Sequence, residues 1–183
     1  LTHMINNILN FSRIEANSQH YTFTLGSLEP IVIDTVDTMR YHFERHGLEI
    51  HVSIDDNLPP VRCDADALRQ ALYNLLNNAM KYSGDGKEID VCAFSANGDV
   101  VIDVTDCGIG IAPDQHEKIF DEFYRVDDPR VRETGGSGLG LAVVKHIVAA
   151  HKGKLSVKSQ LQQGSTFSIH LPISKEIHEN GVI

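Results

Sequence analysis

Four polar side chains follow one edge of a predicted helix and could bind an anionic ligand together with a metal ion. The apolar positions of residues 64–82 recur every three or four residues, which is typical of a helix packed against a core. Asn74, Asn78, Lys81 and Tyr82 form a second stripe at the border of that apolar face. Two amides, an ammonium group and a phenol in that position could hold a metal, phosphates and a ring. A solvated helix edge is the alternative.

An aspartate followed by two glycines comes directly after a predicted strand. Asp106 follows residues 100–105, and Gly108, Gly110 and Ile111 come next. Because glycine lacks a side chain, a flat ring could approach the backbone closely here. The carboxylate could accept a hydrogen bond from an amino group such as the exocyclic amine of adenine. A plain tight turn capped by the aspartate is the alternative.

A second glycine-rich segment opens a later predicted helix. Its residues are Gly136, Ser137, Gly138, Leu139, Gly140 and Leu141. Free N–H groups at a helix start attract anions, with help from the helix dipole. The spacing fits neither a P-loop nor a dinucleotide-binding pattern. Arg125 lies between the two glycine segments and could bind a terminal phosphate, because a guanidinium donates to two oxygens at once.

The elements that must position these groups are predicted from hydrophobic periodicity and turn residues. Helices should begin near residues 28, 65 and 138. Strands are expected at residues 21–25, 48–54, 88–95, 100–105, 154–158 and 166–171. Asn97-Gly98 predicts a hairpin turn. Since helices and strands do not alternate strictly, we expect an α/β two-layer sandwich, with a mixed sheet of about five strands and three helices on one face.

Residues 1–18 are predicted to form an additional N-terminal helix. Apolar side chains recur there at every third or fourth position, which gives the helix one apolar face. A helix this short is marginal alone, so we expect it to pack on a partner helix. The predicted organisation is therefore this helix, a single domain over residues 19–173, and a loose polar tail over residues 174–183.

Composition limits the classes of partner. The 183 residues fit one domain with an appendage, and a formal net charge of −9 disfavours nucleic acid, because phosphate backbones need a basic surface. Three widely spaced cysteines form no CxxC pair, so neither a zinc ribbon nor a disulfide framework is indicated. No apolar run approaches the roughly 20 residues of a membrane span. We expect a cytoplasmic location, including that of the cytoplasmic part of a membrane-bound sensor.

In their order along the chain, these segments resemble the catalytic, ATP-binding domain of sensor histidine kinases, within the wider ATPase group that includes gyrase. The resemblance is to the N box at residues 74–82, the first glycine box at 106–111, the F box at 120–125 and the second glycine box at 136–140. Residues 164–167 resemble the closing strand. The resemblance extends over residues 21–172 and implies a Bergerat-type ATP-binding fold.

The resemblance implies metal and phosphate contacts. Asn78 would ligate Mg²⁺, a cation that prefers oxygen donors, with Asn74 beside it. Asn74, Lys81 and Arg125 would act in catalysis at the phosphates, and Tyr82 would lie near the nucleotide. The phosphates would rest on the second glycine segment, which is Gly136, Gly138, Leu139, Gly140 and Leu141.

The resemblance also implies an adenine site and a lid. Asp106 would recognise the adenine amine, and Gly108, Gly110 and Ile111 would allow the ring to come close. Thr166 would help hold the adenine edge. Residues 127–135 would form a lid that is ordered by the ligand, as their charges and paired glycines suggest.

The implied reaction is transfer of the γ-phosphoryl group of Mg-ATP to a histidine of a dimerisation hairpin. In the family an acidic residue and then a proline follow that histidine, and no histidine here has this context. His3 is followed by Met4-Ile5, and residues 1–15 resemble the second helix of the hairpin. We therefore expect ATP binding without self-phosphorylation, a homodimer through the N-terminal helix, and a response regulator receiver domain as partner.

Three other functions are compatible with parts of the sequence. A gyrase-like hydrolytic ATPase would carry a glutamate where Asn74 stands, and an amide cannot activate water. A serine kinase of the same fold, such as an anti-sigma factor, is disfavoured by the F box and the leading helix. A nucleotide-binding scaffold that docks a response regulator without catalysis would keep every binding box.

Overall fold

Five strands form the central sheet of the computed structural model, which describes residues 8–9, 11–13, 16, 18–84 and 88–174. They are β2 (Glu49–Ile54), β4 (Glu88–Ala96), β5 (Asp99–Asp106), β6 (Lys154–Ser159) and β7 (Ser165–Pro172). Their order across the sheet is β2-β4-β5-β7-β6. Because β2 is parallel to β4 and the other pairs are antiparallel, the prediction of a mixed five-stranded sheet is confirmed.

Three helices cover one face of this sheet, as predicted. They are α1 (Glu29–Arg45), α2 (Ala65–Tyr82) and α4 (Gly140–Ala150), and a one-turn helix α3 (Pro129–Glu133) precedes the last of them. Helix α2 lies between α1 and α4, and the apolar stripes of all three join the sheet in one core. Asp64 begins α2 as its cap, with Oδ1 accepting a hydrogen bond from the Ala67 N–H at 3.0 Å.

The β4–β5 hairpin fixes the position of Asp106. Asn97 and Gly98 form its turn with φ angles of 54° and 88°, the left-handed conformation that their sequence predicts. The register set by this turn places Asp106 opposite Ile89 on one side and opposite Ser165 on the other. The carboxyl group therefore projects from the end of the central strand, on the helix-covered side.

The first predicted strand lies outside this sheet. Residues 21–25 were expected to contribute a strand, but β1 covers Thr24–Gly26 and pairs with a second short strand, β3 (Val61–Cys63), in a separate two-stranded sheet. Both strands have only three residues, which is too short for the two-residue alternation that reveals a strand in sequence.

The described part of the predicted N-terminal helix is helical at residues 8–9 and 11–13. Phe11 is buried, and its ring centroid lies 5.8 Å from that of Phe123, in edge-to-face geometry. The expectations about His3 and about a tail beyond residue 174 lie outside the described residues. Within the described part of the chain, no helix has both the length and the apolar character needed to cross a membrane.

Candidate functional site

A cavity lies between the C-terminal half of α2, the start of α4 and the loops between β5 and α4. Asn74, Asn78, Lys81 and Tyr82 all line it, as does Asn77, which the sequence analysis did not select. Asn77 lies three residues after Asn74 and four before Lys81, so the same three-four spacing applies to it. The four selected side chains do converge on one cavity, which is what a helix edge facing a ligand requires.

Asn74 is buried and hydrogen-bonded within the protein, which the sequence did not indicate. The side chain is 2% exposed, and its Nδ2 donates a hydrogen bond to the carbonyl oxygen of Gly140 at 3.3 Å. This bond ties α2 to the first residue of α4 at the wall of the cavity. Half of the amide is therefore already used in holding two helices together.

Two cations converge at one end of the cavity. Burial, and then the nearby charge of Arg125, lower the pKa of the Lys81 ammonium below its ordinary value. The Arg125 guanidinium donates to the carbonyl oxygens of Gly136, at 3.4 Å, and Val131. A Cβ placed on Gly136 would lie 4.0 Å from Lys81 Nζ, so the glycine-rich segment adjoins both charges. An anion bound between them would relieve their repulsion.

The opposite end of the cavity contains a buried carboxyl group. Asp106 is 6% exposed, and its Oδ1 accepts a hydrogen bond from the Gly108 N–H at 2.9 Å. Burial raises the pKa of this carboxyl to about 6, although hydrogen bonds from the backbone N–H groups of Gly108 and Ser165 oppose the shift. Asp106 is therefore a strongly perturbed group in a cavity, a combination that marks functional sites.

Gly108 is not among the residues that line the cavity, and its predicted place close to the ring stays a prediction. A Cβ at this position would lie 2.0 Å from the carbonyl oxygen of Tyr82 and 2.7 Å from Asp106 Oδ1. The glycine is required because the end of α2 and the carboxyl group both press on it. Gly108 thus helps to orient the Asp106 carboxyl group, to which its N–H donates a hydrogen bond.

Gly110 and Ile111 line the cavity, and a neighbouring turn packs against them. Gly110 has a φ of +66°, and a Cβ there would lie 1.9 Å from the Gln160 carbonyl oxygen. The turn is fastened by a 2.8 Å hydrogen bond from the Gln162 N–H to the Ile109 carbonyl oxygen. It carries Leu161, which lines the cavity with 53% of its surface exposed.

The second glycine-rich segment is divided between cavity and core. Gly136, Gly138, Gly140 and Leu141 line the cavity. Leu139 is 1% exposed, belongs to the core and is not among the residues that line the cavity, so its place among the ligand contacts stays a prediction. An apolar side chain one residue before α4 points inward because the helix packs its apolar face on the sheet.

Gly138 supports a strained residue of the F box. Phe123 has a φ of +60°, which is uncommon for a bulky side chain, and its ring is 65% exposed. A Cβ on Gly138 would lie 2.6 Å from the Phe123 carbonyl carbon. Phe123 does not line the cavity, and its ring meets Phe11 instead.

Thr166 is not among the residues that line the cavity, and its predicted role at the adenine edge stays a prediction. Its hydroxyl is 2.9 Å from that of Thr105. Side chains alternate along a strand, so Ser165 and Phe167 line the cavity instead. Ser165 is the residue that sequence reasoning should have chosen, because it shares a face with the core residue Phe167.

The segment expected to form a lid, residues 127–135, contains α3 and contributes Asp128, Val131 and Gly135 to the cavity wall. Asp128 caps the short helix by accepting a 2.8 Å hydrogen bond from the Arg130 N–H. Hydrogen bonds from Arg130 lower the pKa of Asp128 to about 2. The placement of this segment over the cavity agrees with a lid, and its mobility stays a prediction.

Six other wall residues were not selected as ligand contacts, although Ile109, Tyr124 and Ser137 lie within the segments that carry the resemblance. They are Ile109, Ala112, Ile119, Tyr124, Val126 and Ser137. Most are apolar or lie in loops, where spacing carries no information on direction. Among the described residues, no three His, Cys, Asp or Glu side chains are grouped so as to hold a metal ion. A bound cation would therefore depend on amide and ligand oxygens.

The chain matches a known family and several known proteins. Residues 63–175 match the family described as histidine kinase-, DNA gyrase B- and HSP90-like ATPase. The sensor histidine kinase RppB of Synechocystis is 37% identical over 177 residues, which are 94% of this chain and 38% of that protein. The sensor-like histidine kinase SenX3 of Mycobacterium tuberculosis is 35% identical, with 97% of this chain and 43% of that protein aligned.

A solved structure, full-length ShkA in complex with AMPPNP, has a TM-score of 0.82 and 30% sequence identity. The similarity covers 94% of this chain and 35% of ShkA. The chain thus spans about two fifths of the length of the two curated relatives.

Proposed function

This chain belongs to the family of histidine kinase-, DNA gyrase B- and HSP90-like ATPases, and on that premise we propose that it binds Mg-ATP and transfers the γ-phosphoryl group to a histidine of a protein. It provides the ATP-binding catalytic part of a two-component sensor kinase, like the sensor kinases to which it is similar. The observation that carries the proposal is that one cavity is lined both by a buried carboxyl group, Asp106, and by two cations, Lys81 and Arg125.

The two ends of the cavity fit the two ends of the nucleotide. The Asp106 carboxyl group accepts a hydrogen bond from the adenine amine, and Ser165 shapes the wall beside it. Leu161 covers one face of the base. Lys81 and Arg125 neutralise the phosphates, where the exposed N–H groups of the glycine-rich segment add further donors.

Asn78 is the residue that fits Mg²⁺. Its side chain lines the cavity between Asn74 and Lys81, and an amide oxygen is a hard donor of the kind this cation prefers. Mg²⁺ usually keeps several waters and takes its remaining ligands from phosphate oxygens, so one protein ligand is enough. When bound, the cation neutralises charge on the β- and γ-phosphates.

The reaction forms a bond between a histidine nitrogen and the γ-phosphorus while the bond to the β-γ bridging oxygen breaks, and ADP leaves. The protein contributes position and charge to this step. Hydrolysis by this chain is disfavoured, because Asn74 is an amide and its Nδ2 is already bonded to Gly140. The acceptor histidine belongs to a dimerisation helix, and a homodimer forms through the N-terminal helix. A response regulator receiver domain accepts the phosphoryl group, and the chain works in the cytoplasm.

Calorimetric titration tests the site. ATP and ADP should bind saturably, GTP should bind much more weakly, and Mg²⁺ should strengthen ATP binding. Binding of GTP as tight as that of ATP would contradict the assignment of Asp106. Absence of all binding would contradict the proposed function. It would favour the alternative of a scaffold that docks a response regulator without catalysis.

Transfer is tested separately. The chain is mixed with a sensor-kinase dimerisation hairpin that carries an acceptor histidine, together with ATP labelled at the γ-phosphate. Acid-labile, alkali-stable label should appear on the hairpin and not on this chain. Label on a serine would favour the serine-kinase alternative.

A further inference from the structure

A buried junction lies at the far end of the two helices that flank the cavity. His151, at the end of α4, is 4% exposed. Its Nε2 accepts a hydrogen bond from the backbone N–H of Asp64 at 2.9 Å. Since Nε2 accepts, the ring hydrogen is on Nδ1, which donates to the Ile147 carbonyl oxygen at 2.7 Å. A neutral imidazole thus joins the start of α2 to the end of α4.

The same junction holds the segment that leads from the N-terminal helix into the domain. One oxygen of the Asp64 carboxylate caps α2, while the other accepts a 2.7 Å hydrogen bond from the backbone N–H of Thr22. The rings of Phe23 and Tyr21 stand edge-on to the His151 ring, with centroids 5.0 and 6.0 Å away. We call Asp64 and His151 the linker seat, and residues 21–23 the linker.

Helices α2 and α4 are consequently tied at two points. Asn74 and Gly140 form one tie at the cavity wall, and the linker seat forms the other. Asn74 lies ten residues after Asp64, on the order of 15 Å along the helix. Shifts of packed helices by about 1–2 Å are one known form of switching transition. Because α2 and α4 are hydrogen-bonded at both points, a change in their spacing at the cavity would strain the linker seat.

We propose that Asp64 and His151 are positioning residues for the transfer reaction, because the linker seat couples the placement of the linker to the occupancy of the cavity. The inference rests on the proposed ATP site. Coupling between two binding events is reciprocal. If bound nucleotide holds the linker more firmly in its seat, the seated linker strengthens nucleotide binding by the same factor.

Thr22→Pro tests the coupling without a substitution in the cavity or in the linker seat. Proline has no N–H group, so the bond to Asp64 is lost. Gln19→Pro is the matched control, since it stiffens the same stretch at a residue whose N–H has no partner within the described part of the chain. Phe23→Ala, which leaves the backbone bond and removes the ring beside His151, is a second variant.

Two quantities are measured for each protein. One is the affinity for a non-hydrolysable ATP analogue with Mg²⁺, by calorimetry. The other is the rate of chymotrypsin cleavage after Phe23, a bond that Thr22→Pro leaves cleavable, with and without the analogue. For Phe23→Ala, cleavage is followed after Tyr21.

In the parent chain and in Gln19→Pro, the analogue should slow cleavage by roughly three- to ten-fold, a factor at the low end of measured couplings. In Thr22→Pro, cleavage should be fast with or without the analogue, and affinity should fall by the same factor. Phe23→Ala should show the same effects in weaker form.

The inference is wrong if Thr22→Pro binds the analogue as the parent does while the analogue leaves parental cleavage unchanged. That result would make the linker seat a structural contact alone. The proposed function fails in a different way, since the parent itself would then bind no analogue. Unequal factors in the two measurements would also overturn the coupling.

Discussion

Gly108 and Gly164, beside Asp106, and Gly135, near the two cations, are glycines for different reasons, although Gly138 of the glycine-rich segment is also packed against backbone. At the Asp106 end, a Cβ on Gly108 would lie 2.0 Å from the Tyr82 carbonyl oxygen, and one on Gly164 would lie 1.9 Å from the Asp106 carbonyl oxygen. At the cation end, a Cβ on Gly135 would meet nothing within 4 Å. The first two glycines are required by packing, while Gly135, with a φ of +63°, is required by backbone conformation alone.

The Asp106 end of the cavity is rigid and determines ligand selectivity, whereas the cation end can adapt to the ligand. The base end is built from strand ends that press on one another, so Asp106 has a fixed position before any ligand arrives. The cation end is built from loops that a few side-chain hydrogen bonds hold, including those of Arg125. We infer that the protein recognises a base by a rigid surface and accommodates phosphates by a deformable one.

The sharpest test of the comparison exchanges a glycine for alanine at each end. Gly108→Ala should lower the free energy of unfolding by about 3 kcal/mol or more, because the methyl group meets backbone that cannot move aside. Gly135→Ala should lower it by about 1–2 kcal/mol, which is the usual effect of a side chain in the left-handed region. Urea unfolding of both variants measures this. Equal losses would mean that the two ends are equally packed.

The buried carboxyl group should make stability depend on pH. Its pKa rises from the ordinary value of 3.8 to about 6 on folding, so the folded state holds the proton more tightly than the unfolded chain. Stability from this group is present at low pH and is lost as pH rises through about 6, by roughly 2–3 kcal/mol in total. Unfolding of the parent and of Asp106→Asn should be compared from pH 4.5 to 7.5. The parent should lose stability relative to the variant, and a constant difference would contradict the raised pKa.

Asp106→Asn should also weaken ATP binding, by on the order of 1–3 kcal/mol, because a buried hydrogen-bond partner of the base is lost. Tripolyphosphate, which has no base, should bind parent and variant equally. Calorimetry with both ligands separates the two ends of the cavity. If the variant binds ATP as tightly as the parent, the adenine assignment is wrong.

Asn78→Ala should reduce ATP affinity by roughly ten-fold in the presence of Mg²⁺, because a charged ligand contact is typically worth about 1.5–3 kcal/mol. In EDTA the variant and the parent should bind ATP nearly equally. Asn77→Ala, at the neighbouring wall position, is the matched control. An equal loss with and without the metal would exclude Asn78 as a metal ligand.

Leu161→Ala should have the smallest effect, a loss of ATP affinity of about three- to five-fold. Half of this side chain is exposed, so a base covering it would bury only part of a leucine, worth on the order of 1 kcal/mol. Binding of tripolyphosphate should not change. Gln163→Ala on the same turn is the control, and an equal loss in that variant would point to the turn and not to the leucine.

The sequence predicted those features that depend on local spacing. The stripe of Asn74, Asn78, Lys81 and Tyr82 reached the cavity because helical spacing fixes which side chains share an edge. Asp106 was found because a strand end has a known direction. The Asn97-Gly98 turn likewise follows from the backbone conformation that these residues prefer.

Contacts between distant parts of the backbone could not be predicted from the sequence. The neighbour of Gly108, the Tyr82 carbonyl oxygen, lies 26 positions earlier in the chain. Thr166 alternates with Phe167, which lines the cavity, so the two side chains lie on opposite faces of the sheet. Nothing local to His151 indicated that it would accept a hydrogen bond from Asp64, since that pairing exists only after both helices have packed.

The sheet has two open edges, and their side chains bear on how this protein behaves at high concentration. Edge strands offer free N–H and C=O groups to any similar strand that approaches. Strand β6 carries exposed lysines at positions 154 and 158, so two copies meeting edge to edge would bring like charges together. At the other edge, β2 presents the charged Glu49 but also Val52, which is 39% exposed. Association between copies should therefore be favoured along β2 more than along β6.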